Sequence, residues 1–346
     1  MHWKIGLIGF GNVGKAFIKL YSEMKDYWLE KYGLSASFYY IITSRGGVIK
    51  NESIDIEQLL SAARPTGRLD SFHGWKDGLT FSEAIHQSSI NLLVEVSPTA
   101  IKNNGEPAAT TIATALRSNI SVATGNKAPF LFHYRELHEL ARKNNLLLGI
   151  GCTTGAALPS VNFGTYALAG SKITKIEGIL NGVCNFILTR MEEKSISFDQ
   201  ALREAQARGI AETDPAYDID GWDTAAKIII ISNTLIGTNL TLKSIAVEGI
   251  RNITPDLILQ SRNAQKRIKL TGFTEIAGNI IRAGVSLKEF DSSSTLYNVM
   301  GTRKVIIYYT EPAGQFIVEG GASSPAGAAY SLWRDIINWH TQPQTR

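Results

Sequence analysis

Short apolar runs alternate with longer amphipathic stretches along the first 150 residues of the chain. The apolar runs predict strands, and the stretches with apolar residues three and four apart predict the helices between them. This alternation is typical of a doubly wound parallel sheet with crossover helices, an α/β fold. The predicted strands are 3–9, 37–43, 90–96, 120–123 and 146–150, and the predicted helices are 12–31, 54–60, 81–86, 105–118 and 129–144.

The pattern changes from residue 171 onward, where strand-like runs predict a second, α+β domain. A last helix over 327–339 has apolar positions suited to cover the sheet of the first domain. We therefore predict one domain made of 1–150 plus 320–346 and another made of 151–319. The predicted strands of the second domain are 173–179, 282–287, 304–310 and 315–318.

Composition narrows the class of protein. Of 346 residues, 44% are hydrophobic and 19% charged, which excludes disordered and coiled-coil classes. A net charge of +4 from interspersed basic and acidic residues argues against nucleic acid or a membrane surface as partner, and favours a small molecule. With two cysteines, no signal peptide and no apolar run near the roughly 20 residues of a membrane span, we expect a cytoplasmic protein.

A glycine-rich motif follows the first predicted strand directly and opens a helix. This G-x-G-x-x-G pattern in that context predicts a Rossmann-type site for a dinucleotide, because the glycines permit the turn and the close approach of a pyrophosphate. The free N–H groups at the start of the helix then point at the phosphates. The motif residues are Gly9, Phe10, Gly11, Asn12, Val13 and Gly14.

The end of the second predicted strand indicates which dinucleotide binds. NAD binding normally uses an acidic residue there, but this chain has Ser44 and Arg45 and no carboxylate. An arginine and a serine hydroxyl suit the 2′-phosphate of NADP. We therefore predict NADP as the cofactor, with NAD as the alternative.

Two later loops lie at the carboxyl ends of predicted strands, where open α/β sheets bind ligands. One contains Ser97, Pro98 and Thr99, and the other contains Asn126 and Lys127. Their short polar side chains and the single lysine suit a nicotinamide amide, a ribose and the reacting centre.

The densest candidate chemistry lies between Glu212 and Lys227, where five carboxylates fall within the twelve residues 212–223. Pro215 and Gly221 break any helix before about residue 222, so we expect the carboxylates on a loop that suits a substrate ammonium group. Asp223 and Lys227 are four residues apart on the following apolar helix, hence on one face. The carboxylate would keep Lys227 protonated, ready to protonate an oxygen when the adjacent carbon receives a hydride.

Taken together, these segments resemble the homoserine dehydrogenase family over essentially the whole chain. The resemblance implies reversible, NAD(P)-dependent interconversion of L-aspartate 4-semialdehyde and L-homoserine in threonine and methionine biosynthesis. It also implies a homodimer formed by strands after about residue 272, and a short form without a C-terminal regulatory domain. The matched segments are the glycine-rich turn, 97–99, 125–127, 180–188, 212–227, 320–321 and 334–336.

The resemblance also implies roles for individual residues. Lys227 is implied as the proton donor to the aldehyde oxygen, Lys127 lies beside the nicotinamide and the reacting carbon, and Asp223 binds substrate. Substrate contacts further include Glu212 and Asp218 at the amino group and Gly182 on the carboxylate side. Gly321 joins the cofactor-binding residues named above.

Three positions depart from the family pattern. Gly151 replaces a glutamate at the start of a loop whose carbonyls hold a monovalent cation in the family, and we assign no metal site here. Val183 replaces a threonine that contacts substrate, and Gly125 replaces an alanine. A related amino or hydroxy substrate is therefore an alternative to homoserine.

Two other readings remain open on the sequence. The first is an acylating semialdehyde dehydrogenase that uses Cys152 as its nucleophile, a chemistry that also needs a histidine base. The chain has no histidine in residues 139–339, where that base is expected. The second is a cofactor-sensing protein without catalysis, against which the presence of both Lys127 and Lys227 argues.

Overall fold

The computed structural model describes residues 1–64, 67–321 and 323–342. It consists of two compact units, here called the first unit (Met1–Ala157 with Ser324–Arg346) and the second unit (Leu158–Ser323). Among the described residues, no helix is both long enough and apolar enough to span a membrane.

A seven-stranded sheet forms the centre of the first unit. Its strands lie in the order β4-β3-β2-β1-β5-β6-β7. Strands β2, β1, β5, β6 and β7 run parallel, as predicted. The strands are β1 (His2–Ile8), β2 (Ser35–Thr43), β3 (Gly46–Ile49), β4 (Trp75–Asp77), β5 (Leu92–Glu95), β6 (Ser121–Thr124) and β7 (Leu148–Gly149).

The antiparallel edge formed by β3 and β4 was not predicted. Glycines disfavour strands, and Gly46 and Gly47 therefore indicated a loop. A Cβ atom at Gly47 would lie 2.5 Å from the carbonyl oxygen of Ile41, so glycine is what allows β3 to pack at this position. Gly47 is therefore required by close packing within the sheet and does not mark a loop.

Helices cover this sheet close to their predicted places. The predicted helix over 129–144 is interrupted at His133, whose ψ of 21° with φ of −124° departs from helical geometry. The helices are α1 (Asn12–Tyr32), α2 (Ile56–Ala63), α3 (Phe81–Gln87), α4 (Ala108–Arg117), α5 (Ala128–Phe132), α6 (Tyr134–Lys143) and α7 (Gly151–Gly155).

The second unit contains a six-stranded sheet in the order β13-β12-β8-β10-β11-β9. Its longest hairpin joins β10 and β11, and β10 was not predicted because polar residues such as Lys269, Thr271 and Thr274 interrupt its apolar positions. All three are buried. The strands are β8 (Lys172–Ile179), β9 (Ala246–Val247), β10 (Lys266–Ala277), β11 (Ile280–Asp291), β12 (Val305–Glu311) and β13 (Gly314–Glu319).

One helix of the second unit, α12, packs directly on this sheet. Its Ser232 hydroxyl lies 2.7 Å from the hydroxyl of Thr274 on β10. A Cβ atom at Gly272 would lie 2.9 Å from Thr224, so this glycine lets the helix approach the strand closely. The helices are α8 (Ser160–Asn162), α9 (Gly182–Lys194), α10 (Phe198–Ala207), α11 (Ala216–Ile219), α12 (Trp222–Leu235) and α13 (Pro255–Asn263).

The C-terminal helix α14 (Pro325–Thr341) belongs to the first unit and packs against α1. The Trp333 ring stacks on that of Phe17, with 4.4 Å between centroids, and its indole N–H donates to the Phe17 carbonyl. The Asp335 carboxylate accepts the Gly151 N–H at 2.8 Å. This bond ties α7 to α14, and both helices belong to the first unit.

Candidate active site

The glycine-rich turn in the first unit uses its three glycines differently. Gly9 has a left-handed φ of +99°, and a Cβ atom there would lie 2.5 Å from the Val96 carbonyl oxygen. A Cβ atom at Gly14 would lie 2.0 Å from the Gly9 carbonyl oxygen, so both positions are fixed by the fold. A Cβ atom at Gly11 would meet no described atom within 4 Å. Gly11 is therefore the glycine that leaves open space for a ligand.

The start of α1 is suited to an anion. Gly11 precedes the helix without a side-chain capping bond, its first turn has no acidic residue, and Gly11 and Asn12 are exposed. The first N–H groups of a helix carry partial positive charge and need acceptors. The open glycine and these N–H groups together fit the pyrophosphate of a dinucleotide.

Ser44 and Arg45 form the tight turn between β2 and β3. The Thr43 hydroxyl donates to the Gly46 carbonyl, and the Arg45 carbonyl accepts the Gly78 N–H at 2.9 Å. The Arg45 guanidinium is half-exposed and lies 3.3 Å from the Asp70 carboxylate. The sequence placed no carboxylate at this strand end, and the structure brings one from the α2–β4 connection.

Glu95 joins the two polar loops that follow β5 and β6. Its buried carboxylate accepts the Ser97 N–H at 2.9 Å and the Thr124 hydroxyl at 3.2 Å. The Thr124 hydroxyl in turn accepts the Asn126 N–H at 3.0 Å. Burial raises the pKa of the Glu95 carboxyl above its usual range, and the hydrogen bonds from Ser97 and Thr124 oppose that rise.

Lys127 lies at the start of α5, half-buried, beside this network. The neighbouring Gly125 faces Cys152, because a Cβ atom at Gly125 would lie 3.2 Å from the Cys152 sulfur. Such a distance is tighter than a normal contact. An alanine at position 125 would therefore crowd the Cys152 sulfur, and glycine avoids this close contact.

Three of the histidines have described contacts with groups other than Cys152. His133 lies 3.2 Å from the Asn104 carbonyl, His340 lies 3.2 Å from the Tyr32 carbonyl, and His138 stacks on Tyr134. The arrangement gives no support to the acylating alternative.

In the second unit, four polar side chains form a cluster that we call the lysine cluster: Asn181, Asp218, Asp223 and Lys227. The Lys227 ammonium donates to the Asp223 carboxylate at 2.5 Å and to the Leu180 carbonyl at 2.8 Å. The side chains of Lys227 and Asp223 are only 13% and 7% exposed. This confirms the inference that the two share one helix face and that the lysine lies in a largely buried position.

Asn181 holds the two carboxylates of the lysine cluster. Its side-chain amide donates to Asp218 at 2.6 Å and to Asp223 at 2.8 Å. Its amide oxygen accepts the Cys184 N–H and so caps helix α9. Sequence reasoning assigned it no role. An asparagine at the boundary between a strand and a helix is typical of an N-cap, and this feature of the sequence could have identified Asn181.

The other residues of the acidic segment are arranged differently. Asp220 forms a bidentate ion pair with Arg251, at 2.7 and 2.8 Å. Glu212 lies on an exposed loop, with its backbone carbonyl accepting the side-chain amide of Gln206. Helix α12 begins after Gly221, which has a φ of +86°. The segment before it is not entirely a loop as predicted, because Asp218 lies on the short helix α11. The structure therefore unites Asp218 and Asp223 with Lys227, and leaves Asp220 to Arg251.

Buried groups next to the lysine cluster experience its negative charge. Burial raises the pKa of the Cys184 thiol well above its ordinary value, and the charge of Asp218 adds to the effect. Burial and the charges of Asp223 and Asp218 likewise raise the pKa of Tyr217. Cys184 is accordingly a neutral thiol, and its sulfur lies 3.1 Å from the Asp218 carbonyl oxygen.

Three further predicted residues lie elsewhere in the second unit. A Cβ atom at Gly182 would lie 2.9 Å from the Thr302 carbonyl oxygen, so glycine is needed there by packing. Val183 is half-buried in the first turn of α9. Gly321 is exposed with a left-handed φ of +74°.

Comparisons with known proteins agree on one family. The sequence model described as homoserine dehydrogenase matches residues 159–337. A homoserine dehydrogenase from Methanocaldococcus jannaschii is 34% identical over 332 residues, 96% of this chain and 97% of that protein. An NAD(+)-dependent homoserine dehydrogenase from Pseudomonas canavaninivorans is 31% identical, over 99% of this chain and 97% of that protein.

A solved structure has the same fold. A hyperthermophilic archaeal homoserine dehydrogenase in complex with NADPH superposes with a TM-score of 0.84 at 26% identity, covering 100% of both chains. The Rossmann-type α/β fold with a second α+β unit is thus confirmed.

Proposed function

Because this chain belongs to the homoserine dehydrogenase family, we propose that it interconverts L-aspartate 4-semialdehyde and L-homoserine through the lysine cluster. Members of this family are NAD(P)-dependent oxidoreductases that act on a CH–OH group in amino-acid biosynthesis. The observation that carries the proposal for this chain is Lys227, a largely buried ammonium group held by Asp223 and the Leu180 carbonyl.

Lys227 would protonate the aldehyde oxygen in the reducing direction. An ammonium group has three N–H donors, and the two described bonds leave one for a substrate oxygen. The hydride comes from the nicotinamide of bound NAD(P)H. As the aldehyde carbon receives it, the oxygen gains negative charge and takes the proton from Nζ of Lys227. Asp223 contacts Nζ of Lys227 at 2.5 Å and so orients it for this transfer.

Substrate anchoring is assigned to the acidic segment and to the start of α9. Asp218 and Glu212 would face the substrate ammonium group, and Asp223 would contact substrate beside Lys227. Gly182 would lie on the carboxylate side of the substrate. The support for Asp218 is its bond to Asn181 within the lysine cluster.

Except for Gly321, which belongs to the second unit, the residues assigned to the cofactor site lie in the first unit. Gly9, Phe10, Gly11, Asn12, Val13 and Gly14 would hold the pyrophosphate, and Ser44 with Arg45 the 2′-phosphate of NADP. Ser97, Pro98, Thr99 and Lys127 would lie at the nicotinamide end, and Gly321 would also contact the cofactor. The open space at Gly11 and the N–H groups of α1 support this assignment.

We further propose a homodimer formed through the sheet of the second unit. Ile280, Ile281 and Ile317 are large apolar side chains that are 59%, 45% and 46% exposed on its strands. Exposed apolar side chains on strands are typical of surfaces that another chain covers. Sedimentation velocity on the purified protein tests this proposal, and a monomer would contradict it.

The cytoplasmic location stays a prediction.

The reaction itself is tested with purified protein, L-homoserine and NADP⁺ or NAD⁺ at alkaline pH. Oxidation of homoserine releases a proton, so alkaline pH favours it, and reduced cofactor is followed by its absorbance. We expect turnover that persists in Cys152→Ser. Turnover of another amino or hydroxy acid, with none of homoserine, would instead point to Val183 and Gly151 as marks of changed specificity.

A further inference from the structure

A short segment of the first unit, Gly67–Asp70, lies between the glycine-rich turn and the β2–β3 turn. At one end, a Cβ atom at Gly67 would lie 3.0 Å from Nζ of Lys15, in the first turn of α1. At the other end, the Asp70 carboxylate lies 3.3 Å from Nη1 of Arg45. The segment therefore borders the place where the adenosine ribose of a dinucleotide lies in this type of fold.

Asp70 contacts two arginines at once. The same carboxylate oxygen that faces Arg45 lies 2.6 Å from Nη2 of Arg68. The three side chains are between 34% and 52% exposed, so a ligand can reach them. Asp70 thus carries the one acidic group described in contact with the Arg45 guanidinium, and it comes from outside the second strand.

We infer that Asp70 selects between the two cofactors, acting with Arg45 and Arg68. This inference deepens the proposed function, on which it rests. The Asp70 carboxylate accepts the ribose 2′-hydroxyl of NAD, the part that an acid at the end of the second strand usually takes. For NADP, the 2′-phosphate replaces Asp70 as the partner of both arginines, since guanidinium groups bind phosphate in a bidentate manner.

The arrangement makes opposite demands on the two cofactors. The Asp70 charge repels a 2′-phosphate and competes for the arginines, so it weakens NADP binding. The same charge strengthens a hydrogen bond from the 2′-hydroxyl of NAD. The chain therefore binds both cofactors, and removing the Asp70 charge shifts its preference toward NADP.

Direct binding measures this without relying on catalysis. Calorimetric titrations with NADPH, NADH, 2′,5′-ADP and 5′-AMP compare the unmodified protein with Asp70→Asn. We expect Asp70→Asn to lower the affinity for NADH roughly tenfold, because a hydrogen bond to a charged acceptor is lost. NADPH and 2′,5′-ADP bind about two- to fivefold tighter, the effect of one exposed ion pair.

Two further variants and a control define the site. Arg45→Ala and Arg68→Ala should each lower the affinity for NADPH far more than the affinity for NADH. Asp26→Asn, on the exposed side of α1, makes the same charge change away from the turn and should leave both affinities unchanged. Thermal melting of each variant checks that the first unit is intact.

The outcomes separate the inference from the proposed function. Equal changes for NADH and NADPH in Asp70→Asn, or unchanged NADPH binding in Arg68→Ala, overturn the inference while homoserine oxidation still stands. Failure of the unmodified protein to bind either cofactor overturns the proposed function, and with it the inference. A shift in the NADH-to-NADPH affinity ratio that appears only in the Asp70, Arg45 and Arg68 variants supports it.

Discussion

The side-chain amide of Asn181 donates to the Asp223 carboxylate at 2.8 Å, although 42 residues separate the two. The same amide nitrogen contacts Asp218 at 2.6 Å, and the amide oxygen caps α9. Asp223 in turn holds the Lys227 ammonium at 2.5 Å. One asparagine therefore fixes both the start of a helix and the carboxylate that orients the candidate acid.

Substitution of Asn181 separates these two tasks. Serine is also a good N-cap, so the free energy of unfolding of Asn181→Ser should lie within about 1 kcal/mol of that of the unmodified protein. It has no amide to hold Asp223, and we expect kcat to fall roughly 10- to 100-fold through misplacement of Lys227. Asn181→Ala should lose both the cap and the rate. Melting curves and steady-state kinetics measure the two effects, and unchanged kcat in Asn181→Ser would show that the amide does not position the acid.

The difference between Asn181 and Lys227 shows how far the sequence could predict this site. Asp223 and Lys227 are four residues apart on one helix, and helical geometry alone places them together. Asn181 meets them only through tertiary packing, which spacing does not reveal. Asp70 and Arg45 are likewise brought together by the fold, although no residue near Arg45 in sequence offers a carboxylate.

The fold shows the same division between local and tertiary information. Strands that are apolar on both faces, such as β5, were predicted because parallel sheets bury both faces. Strand β10 has buried Lys269 and Thr271, which find partners or close packing only in the folded chain. The Lys269 ammonium, for example, donates to the Val299 carbonyl at 2.6 Å. Because the surroundings that bury these polar residues are distant in sequence, the sequence pattern did not predict this central strand.

Replacement of Lys227 by methionine tests the proton-donor role. Methionine keeps the length and fills the largely buried position but carries no proton, so we expect kcat to fall by at least about 100-fold, within the range for a lost general acid. Calorimetric NADPH binding should stay within about twofold, because the lysine is assigned to substrate and not to cofactor.

Lys19→Met is the matched control for that substitution. Lys19 is an exposed lysine that also pairs with a carboxylate one helical turn away, at 3.6 Å from Glu23. Its kinetics should be those of the unmodified protein. A Lys227→Met protein that binds NADPH poorly but keeps its kcat would move Lys227 to the cofactor site.

Glu95→Gln should change stability in a way that depends on pH. Burial raises the pKa of Glu95 in the folded protein above its unfolded value, so the folded state binds the proton more tightly. The stabilising contribution of this proton is complete below the unfolded pKa and is lost as pH rises through the folded pKa. Glutamine keeps an acceptor for the Ser97 N–H but never ionises, and it escapes this loss.

Melting temperatures at pH 4.5, 6 and 8 check this expectation, in roughly the interval over which a carboxyl with a raised pKa ionises. The gain of Glu95→Gln over the unmodified protein should be smallest at the lowest pH and increase as pH rises. Glu139→Gln, at an exposed position of α6, should give no comparable trend. A gain that is the same at every pH would mean that Glu95 does not change its ionisation in this interval.

His138 should make the first unit sensitive to acid. Burial lowers the pKa of His138 from 6.5 to about 4, and its ring stacks on Tyr134 with 4.2 Å between centroids. A histidine with a lowered folded pKa contributes stability that is complete above pH 6.5 and is lost as pH falls toward 4. At about 1.4 kcal/mol per pKa unit, the full loss is up to roughly 3 to 4 kcal/mol.

His138→Phe removes the titrating group and keeps an aromatic ring against Tyr134. Between pH 7.5 and 4.5, an interval of roughly the width over which such a histidine takes up its proton, the variant should lose less stability than the unmodified protein. The comparison uses the difference between the two proteins, because carboxylates elsewhere also titrate in the acid range and affect both equally. His73→Phe, at an exposed histidine, should follow the unmodified protein. Parallel pH profiles for His138→Phe and the unmodified protein would show that His138 accepts its proton in the folded state without strain, and that the acid sensitivity lies elsewhere.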